Sequence, residues 1–152
     1  MKIVEGNLDL VPPIAILFDA YRVWYGQEAN LAAATTFLHD RLRKQESVLY
    51  AAMEGDRPVG FTQLYPLFSS TRMARLWLLN DLYVHPESRG KGISIKLIER
   101  AKTLTRDTGA AGLSLETERN NQIGNQLYPR TNFEVDTEHF YYFWKNPEFT
   151  SR

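Results

Sequence analysis

Two glycines flanked by cations, in Arg89-Gly90-Lys91-Gly92-Ile93-Ser94, separate an apolar run (Leu76, Trp77, Leu78, Leu79, Leu82, Tyr83, Val84) from a helical pattern carried by Ile95, Leu97, Ile98 and Ala101. The apolar run reads as a strand, which His85-Pro86 stops because proline has no N–H for a ladder. A strand, a glycine turn and a helix start together make an anion site. The first amides of a helix have no internal partner, and the helix dipole adds about half a positive charge there. The glycines let the backbone close around a ligand, and Arg89 and Lys91 supply charge. The turn lacks the Lys-Ser/Thr pair of a P-loop and the third glycine of a dinucleotide loop. A bare Gly-x-Gly turn also suits an ordinary surface helix, so the anion has to be identified from the rest of the chain.

Downstream, Asn121-Gln122-Ile123-Gly124-Asn125-Gln126-Leu127-Tyr128 is followed by Asn132-Phe133. Taken together, the two segments resemble the GNAT superfamily of acetyl-CoA-dependent N-acetyltransferases. Its pyrophosphate loop has the form Arg/Gln-x-x-Gly-x-Gly/Ala, matched by Arg89 to Ser94 with serine at the last small position. Its second signature is Asn-x-x-Ala-x-x-Leu-Tyr with Gly-Phe a few residues on. Here Gly124 stands in place of the alanine and Asn132 in place of the glycine, and asparagine tolerates the left-handed conformation better than most residues. The resemblance runs from about Ile3 to Trp144 and is closest between Leu78 and Phe133.

What the resemblance implies is acetyl-CoA as cofactor, with its pyrophosphate on the N–H groups of Arg89, Gly90, Lys91, Gly92, Ile93 and Ser94. Its pantetheine arm would pair as a pseudo-strand with the end of the preceding strand, at Leu82, Tyr83 and Val84, where an N–H would face the thioester oxygen. Asn121 and Tyr128 complete the cofactor side. Tyr128 matches the family tyrosine that protonates the leaving thiolate, and a phenol with a pKa of roughly 10 keeps its proton at neutral pH. Pro129 is expected to restrain Tyr128 from helical geometry and to shorten the helix that carries it.

An amine acceptor is largely protonated at neutral pH, so a base must take its proton, directly or through water. Asp81 is the first choice, since several relatives place a glutamate or a Glu-Asp pair where this chain has Asn80-Asp81. Strand residues alternate faces, so only one of the two can face the cleft. Glu116, on the next strand, is the fallback. Trp24, Tyr25 and Glu28, between two helical patterns, and Tyr65, before a loop, would form a cation-friendly rim; aromatic residues at a helix end would equally pack on the core. The segment Phe61 to Val84 looks like the diamine/polyamine acetyltransferase branch. The expected function is therefore acetyl transfer from acetyl-CoA to a primary amine of a small molecule, polyamine-like or amino-acid-like, by direct attack. A protein lysine or N-terminus is the alternative acceptor, and a non-catalytic acyl-CoA sensor or scaffold the alternative class.

These residues have to be positioned by a sheet. Lys2 to Glu5 suits a first strand. Pro12-Pro13 open a helix with Ile14, Leu17, Phe18 and Tyr21 at helical spacing, and Asn30 to Lys44 repeats the pattern. Val48 to Met53 and Pro58 to Tyr65 read as a hairpin across Glu54-Gly55-Asp56-Arg57, with Pro66 ending or bending the second strand. Met73 to Val84 is the long strand into the glycine turn, Leu113 to Glu116 a short one, and Phe140-Tyr141-Tyr142-Phe143-Trp144 the last. The order predicts an α/β (α+β) fold, a mixed and strongly twisted sheet of six to seven strands with helices on both faces, in a single domain over 1–152.

With 152 residues the chain can bury one substantial core, and eighteen basic residues balance eighteen acidic ones, so no net field advertises nucleic acid. The absence of cysteine removes disulfides, thiolate metal sites and cysteine nucleophiles. His39, His85 and His139 are spaced for no metal site. No apolar run is long enough to span a membrane, and a cytoplasmic address is the expectation. A homodimer is a further expectation, with the aromatic strand Phe140 to Trp144 as its contact, since a long apolar edge is otherwise a liability; ordinary core is the equal alternative for that strand.

Overall fold

The computed structural model describes residues 1–151, which group into two compact units, one covering residues 1–116 and the other starting at Thr117. The first unit holds a five-stranded sheet in the order β1-β2-β3-β4-β5: Lys2–Glu5, Val48–Glu54, Arg57–Ser69, Ala74–Val84 and Gly112–Ser114. Strands β1 to β4 form antiparallel pairs, and β5 joins β4 in parallel. The helices are α1 (Val11–Trp24), α2 (Leu31–Arg43) and α3 (Ile93–Asp107) in the first unit, and α4 (Gln122–Arg130) in the second.

Alternation along β2 explains how the sheet is covered. Leu49, Ala51 and Met53 join Phe61 and Tyr83 in a buried core with Ile14, Leu17 and Phe18 of α1 and Leu38 of α2. Tyr50 points the other way, where Arg100 of α3 lies 4.3 Å over its ring. Helices therefore cover both faces of this sheet, as the element order predicts. Asn30 caps α2 by accepting from the Ala33 N–H at 3.1 Å, the role its side chain suits best. No helix of the described residues is long and apolar enough to cross a membrane.

Three expectations need correction. Among the described residues the sheet has five strands rather than six or seven, because Phe140 to Trp144 forms no strand: all five side chains are exposed and the backbone has no ladder partner there. Strand β5 ends at Ser114, so Glu116 lies beyond it, exposed. Pro66 does not end β3, which continues to Ser69 with Pro66 opposite Trp77. The pairing of β3 with β2 stops at Leu64, so the missing proline N–H faces an open edge and costs the ladder nothing.

Candidate active site

The glycine turn is built as an open amide cradle. After β4, the His85 N–H donates to the Val59 carbonyl at 2.8 Å, and a short 3-10 turn (Pro86–Ser88) leads to Arg89. Gly90 and Gly92 then adopt φ of +78° and +74°, the left-handed region that disfavours any residue with a Cβ. A Cβ at either position would meet nothing within 4 Å, so the space over the turn is open. Gly92 is the N-cap of α3 and offers no capping side chain, so the amides of the first turn, at Ile93 and Ser94, point outward uncapped. That is what a diphosphate needs.

The flanking cations are held differently. Arg89 donates from Nε to the Val84 carbonyl at 2.9 Å, and its guanidinium lies 5.1 Å from the Trp24 ring centre and 5.5 Å from that of Tyr83. It ties the turn to the end of β4 and to the end of α1. Lys91 is exposed, with its Nζ 3.5 Å from Glu54 Oε1. Such a pair is worth about 0 to 1 kcal/mol, so Lys91 is easily recruited to an anion.

Strand β4 outruns its neighbour. Its last partner on the β5 side is Leu78, opposite Ser114. From Leu79 through Leu82, Tyr83 and Val84 no strand among the described residues pairs with it on that side, which leaves an edge that an extended ligand can join by main-chain bonds. At the start of this open section the β3–β4 register slips: Gln63 faces Asp81 and Leu64 faces Leu79, leaving Asn80 as the extra residue of a bulge. Asn80 is exposed and Asp81 is 4 % exposed, so the two do lie on opposite sides.

Asp81 sits in a polar cluster on the α1 side of the sheet. Gln63 donates from Nε2 to Oδ2 at 2.7 Å, Asn80 from Nδ2 to Oδ1 at 3.1 Å, and the Tyr21 hydroxyl is a third donor. Burial pushes the Asp81 carboxyl above its ordinary value, and these three donors pull against that rise without cancelling it. A carboxylate offers about four acceptor positions, so three donors leave room for one more, an amine N–H or a water. Tyr65, half-buried on the same face, has its phenol pushed up by burial and then by the charge of Asp81.

The rim residues divide. Tyr25 meets Tyr21 edge to face at 4.9 Å and Tyr21 meets Tyr83 at 6.1 Å, so an aromatic series leads from the end of α1 to Asp81. Trp24, 64 % exposed, is tied in through Arg89. Glu28 is held by its carbonyl, which accepts from Arg22 Nη1 at 3.2 Å, while the residue itself is exposed. Glu116 is outside this cluster's strands. Sequence reasoning missed Gln63 and Tyr21. Tyr21 carried a signal, an aromatic at the buried spacing of α1; Gln63 carried none, because its role depends on which residue of β4 it faces.

The second unit presents Tyr128. Asn121 caps α4, accepting the Gly124 N–H at 3.0 Å and donating from Nδ2 to Thr117 Oγ1 at 2.8 Å. Gly124 makes this possible: a Cβ there would lie 2.6 Å from Asn121 Nδ2 and 3.2 Å from Tyr128 Cε2. The expectation that Pro129 shortens the helix is corrected, since α4 runs through Arg130 with Pro129 inside it. The Phe133 N–H donates to the Tyr128 carbonyl and the Asn132 N–H to the Pro129 carbonyl, both at 3.0 Å. Asn132 takes φ of +67°. This is a Schellman motif, with asparagine in the left-handed position and the usual contact across it made by the Tyr128 and Phe133 rings, 5.8 Å apart.

The chain is similar to known acetyltransferases. The model of the Acetyltransferase (GNAT) family matches residues 14–133. An "Uncharacterized N-acetyltransferase YhfO" of Bacillus subtilis (strain 168) is 41% identical over 142 residues, 93% of this chain and 95% of its own. A "Probable acetyltransferase" of Haemophilus influenzae is 33% identical over 120 residues, 78% of this chain and 80% of its own. The crystal structure of a probable acetyltransferase, 37% identical, superposes with a TM-score of 0.92 over 96% of this chain and 98% of that one. With the family model spanning both units and the glycine turn inside the matched region, the chain belongs to the Acetyltransferase (GNAT) family and is an acetyltransferase of that type.

Proposed function

We propose that the two units work as one N-acetyltransferase domain over residues 1–152, moving an acetyl group from acetyl-CoA to a primary amine of a small molecule, polyamine-like or amino-acid-like. The observation that carries this is the pairing of the open amide turn at Gly90–Gly92 with a β4 that runs on unpaired from Leu79 to Val84 and bears the buried Asp81. The uncapped amides of Ile93 and Ser94, with Lys91 beside them, suit a pyrophosphate. The free edge at Leu82, Tyr83 and Val84 suits the amide-bearing arm that follows it. When bound, acetyl-CoA supplies an activated acyl group on a thiol leaving group.

The chain's own groups then have defined tasks. Asp81 accepts the proton of the ammonium, directly or through a water on its remaining acceptor position, and its raised pKa makes it the stronger base. The freed amine attacks the acyl carbon. An N–H at Tyr83 or Val84 donates to the developing oxyanion. As the C–N bond forms and the C–S bond breaks, the nitrogen gives up its second proton to solvent, and Tyr128 gives its phenolic proton to the departing sulfur and is reprotonated from solvent. Tyr21, Tyr25 and Trp24 give a cationic acceptor an aromatic approach to Asp81. The cytoplasm, where the donor is at hand, is the compartment that goes with this reading, and a homodimer the assembly.

The test is to mix the protein with acetyl-CoA and a panel of diamines, amino acids and lysine peptides and to follow free thiol. Release that requires a small amine, with kcat reduced about 100-fold in Tyr128→Phe at unchanged melting temperature, is the expected result. Release with peptides alone would move the acceptor to proteins; acetyl-CoA binding with no release from any amine would mark a sensor.

A further inference from the structure

Four buried side-chain nitrogen or oxygen atoms among the described residues have no hydrogen-bond partner: Arg41 Nε, Ser47 Oγ, Gln63 Oε1 and Arg100 Nη1. Buried polar groups are ordinarily satisfied, so each exception calls for a partner. Arg100 lies on the α3 face of the sheet, over Tyr50. The other three belong to the face that α1 and α2 cover, and they fall in order along it. Gln63 of β3, fully buried, faces Asp81 of β4 on one side and Leu49 of β2 on the other. Leu49 is part of the core under α1 and α2, so Ser47, two residues earlier and buried, points to the same side. Continuing the register of Val48 opposite Leu64 brings Ser47 to Tyr65. Arg41, in the last turn of α2, is tied to this corner by its carbonyl, which accepts the Glu46 N–H at 2.8 Å.

The two ends of this line differ in charge. At the β4 end, Gln63 Nε2 is already spent on Asp81 at 2.7 Å, so what remains is the last acceptor position of the carboxylate and, on the same amide, Oε1. Two acceptors side by side suit an ammonium group, which carries three N–H donors and no acceptor. At the other end stand the Arg41 guanidinium and the Ser47 hydroxyl. Glu46 Oε2 lies 3.1 Å from Arg41 Nε, yet that N–H makes no hydrogen bond and the Glu46 side chain is exposed. Such a pair holds the cation weakly and leaves its fork able to grip another carboxylate. Tyr65 stands between the ends: burial raises its phenol first, the Asp81 charge raises it further and the Arg41 charge lowers it, so its hydroxyl lies within reach of both.

We propose that the acceptor is an amine carrying a carboxylate several carbons away, an ω-amino acid, with its ammonium on Asp81 and Gln63 Oε1 and its carboxylate on Arg41 and Ser47. This deepens the acetyl-transfer reading and rests on it for the task of Asp81. A diamine fits the β4 end equally well, but its second cation would meet Arg41, and like charges brought together in a partly buried site repel. The separation excludes an α-amino acid. Strands β2 and β4 are divided by β3, so their backbones stand roughly 10 Å apart. A hydrogen bond of about 2.8 Å at each end still leaves a gap longer than the single carbon of an α-amino acid covers. Arg41 and Gln63 are therefore specificity-determining residues, the first reading the far charge and the second the amine.

Amines of similar length isolate the far group: γ-aminobutyrate, tetramethylenediamine and butylamine end in a carboxylate, an ammonium and a methyl, and glycine shortens the spacing. Two readouts are taken, kcat/KM from thiol release with acetyl-CoA, and affinity by calorimetry with CoA in its place so that nothing turns over. In both, γ-aminobutyrate should exceed the diamine and butylamine by about 10- to 100-fold, with glycine the poorer of the two amino acids. Arg41→Glu should invert the ratio of γ-aminobutyrate to the diamine, and Arg41→Lys, which keeps the charge, should keep its sign. A wild type that takes the diamine or butylamine as well as γ-aminobutyrate overturns the proposal, and this ratio decides even where Arg41→Glu does not fold. Equal use of glycine, a ratio untouched by Arg41→Glu, or no binding of γ-aminobutyrate overturns it too. Carboxylate-selective binding without thiol release supports the site while the acetyl-transfer reading fails; thiol release from amines with no carboxylate preference overturns the site and leaves that reading standing.

Discussion

Asp81 and Tyr128, the two side chains assigned to proton transfer, are held by opposite kinds of structure. Asp81 is fixed by its neighbour Asn80 and by two distant residues: Gln63, which is 18 positions away, and Tyr21, a helix and two strands earlier. Around Tyr128 the contacts that set its backbone and leave room for its ring are local: Gly124, four residues before it, and the Asn132-Phe133 turn that returns to its carbonyl. The proposed base therefore depends on sheet register and burial, and the proposed acid on the helix end that carries it. Substitutions at the first should alter titration and stability together, whereas those at the second should alter geometry alone.

The largest expected effect is at Asp81. Asp81→Asn keeps the shape and removes the base, so kcat/KM at neutral pH should fall about 1,000-fold. Stability should move the other way. The folded-state pKa of Asp81 is raised, so the native state binds a proton more tightly than the unfolded chain, and stability falls as pH rises from the ordinary carboxylate value through the raised one. Above that window the wild type carries a buried charge that the asparagine lacks. Melting curves from about pH 4 to about pH 8 should show the variant losing less stability with rising pH. An unchanged rate would remove Asp81 from the mechanism, and a parallel pH dependence would remove the buried charge.

A smaller effect, on titration, is expected at Gln63. Its Nε2 stabilises the ionised form of Asp81, while its Oε1 is buried without a hydrogen-bond partner. Gln63→Met removes both, losing a donor to the carboxylate and relieving an unsatisfied acceptor, so the net stability change should be slight. Without the donor, burial acts on Asp81 with one fewer counterweight. The acid limb of the kcat/KM profile should move to higher pH. The same substitution in the Asp81→Asn background should shift nothing, because the two act as one unit. Tyr65, Tyr21 and Arg41 also face this cluster, and none of them is altered by the change.

The same contrast governs what the sequence discloses. The glycine turn, the start of α3, the Asn121 cap and the left-handed Asn132 are all set by residues within a few positions, and each was legible. Asp81 could be named as the candidate base, but not its surroundings. Those require knowing that β3 meets β4 with Gln63 opposite Asp81 and with Asn80 bulged out, and no local pattern encodes that slip. The misplaced expectations have the same origin. Glu116 was set on a strand that stops at Ser114 because its parallel partner carries the pairing no further than Leu78. Of the two readings of Pro66, an end or a bend, the end would be needed only in a two-sided strand. Phe140 to Trp144 has strand chemistry and no strand, since a ladder is a property of two segments.

The finest probe of the local side is Gly124. An added methyl would sit 2.6 Å from Asn121 Nδ2, 3.0 Å from its Cγ and 3.2 Å from Tyr128 Cε2. The asparagine has to leave its place, and with it go the bonds to the Gly124 N–H and to Thr117. Losing that cap costs about 1 kcal/mol. Replacing an interior helical glycine by alanine contributes about the same in the opposite direction. Stability should therefore stay within about 1 kcal/mol of wild type, and the melting temperature is a poor reporter. The displaced ring is the better one: kcat in Gly124→Ala should fall about three- to ten-fold, less than in Tyr128→Phe because the phenol is moved rather than removed. In the Tyr128→Phe background the glycine change should add little. If instead Gly124→Ala works at the wild-type rate, the acid does not depend on this close fit. If it slows both backgrounds equally, the methyl acts through the Asn121 cap and not through the phenol.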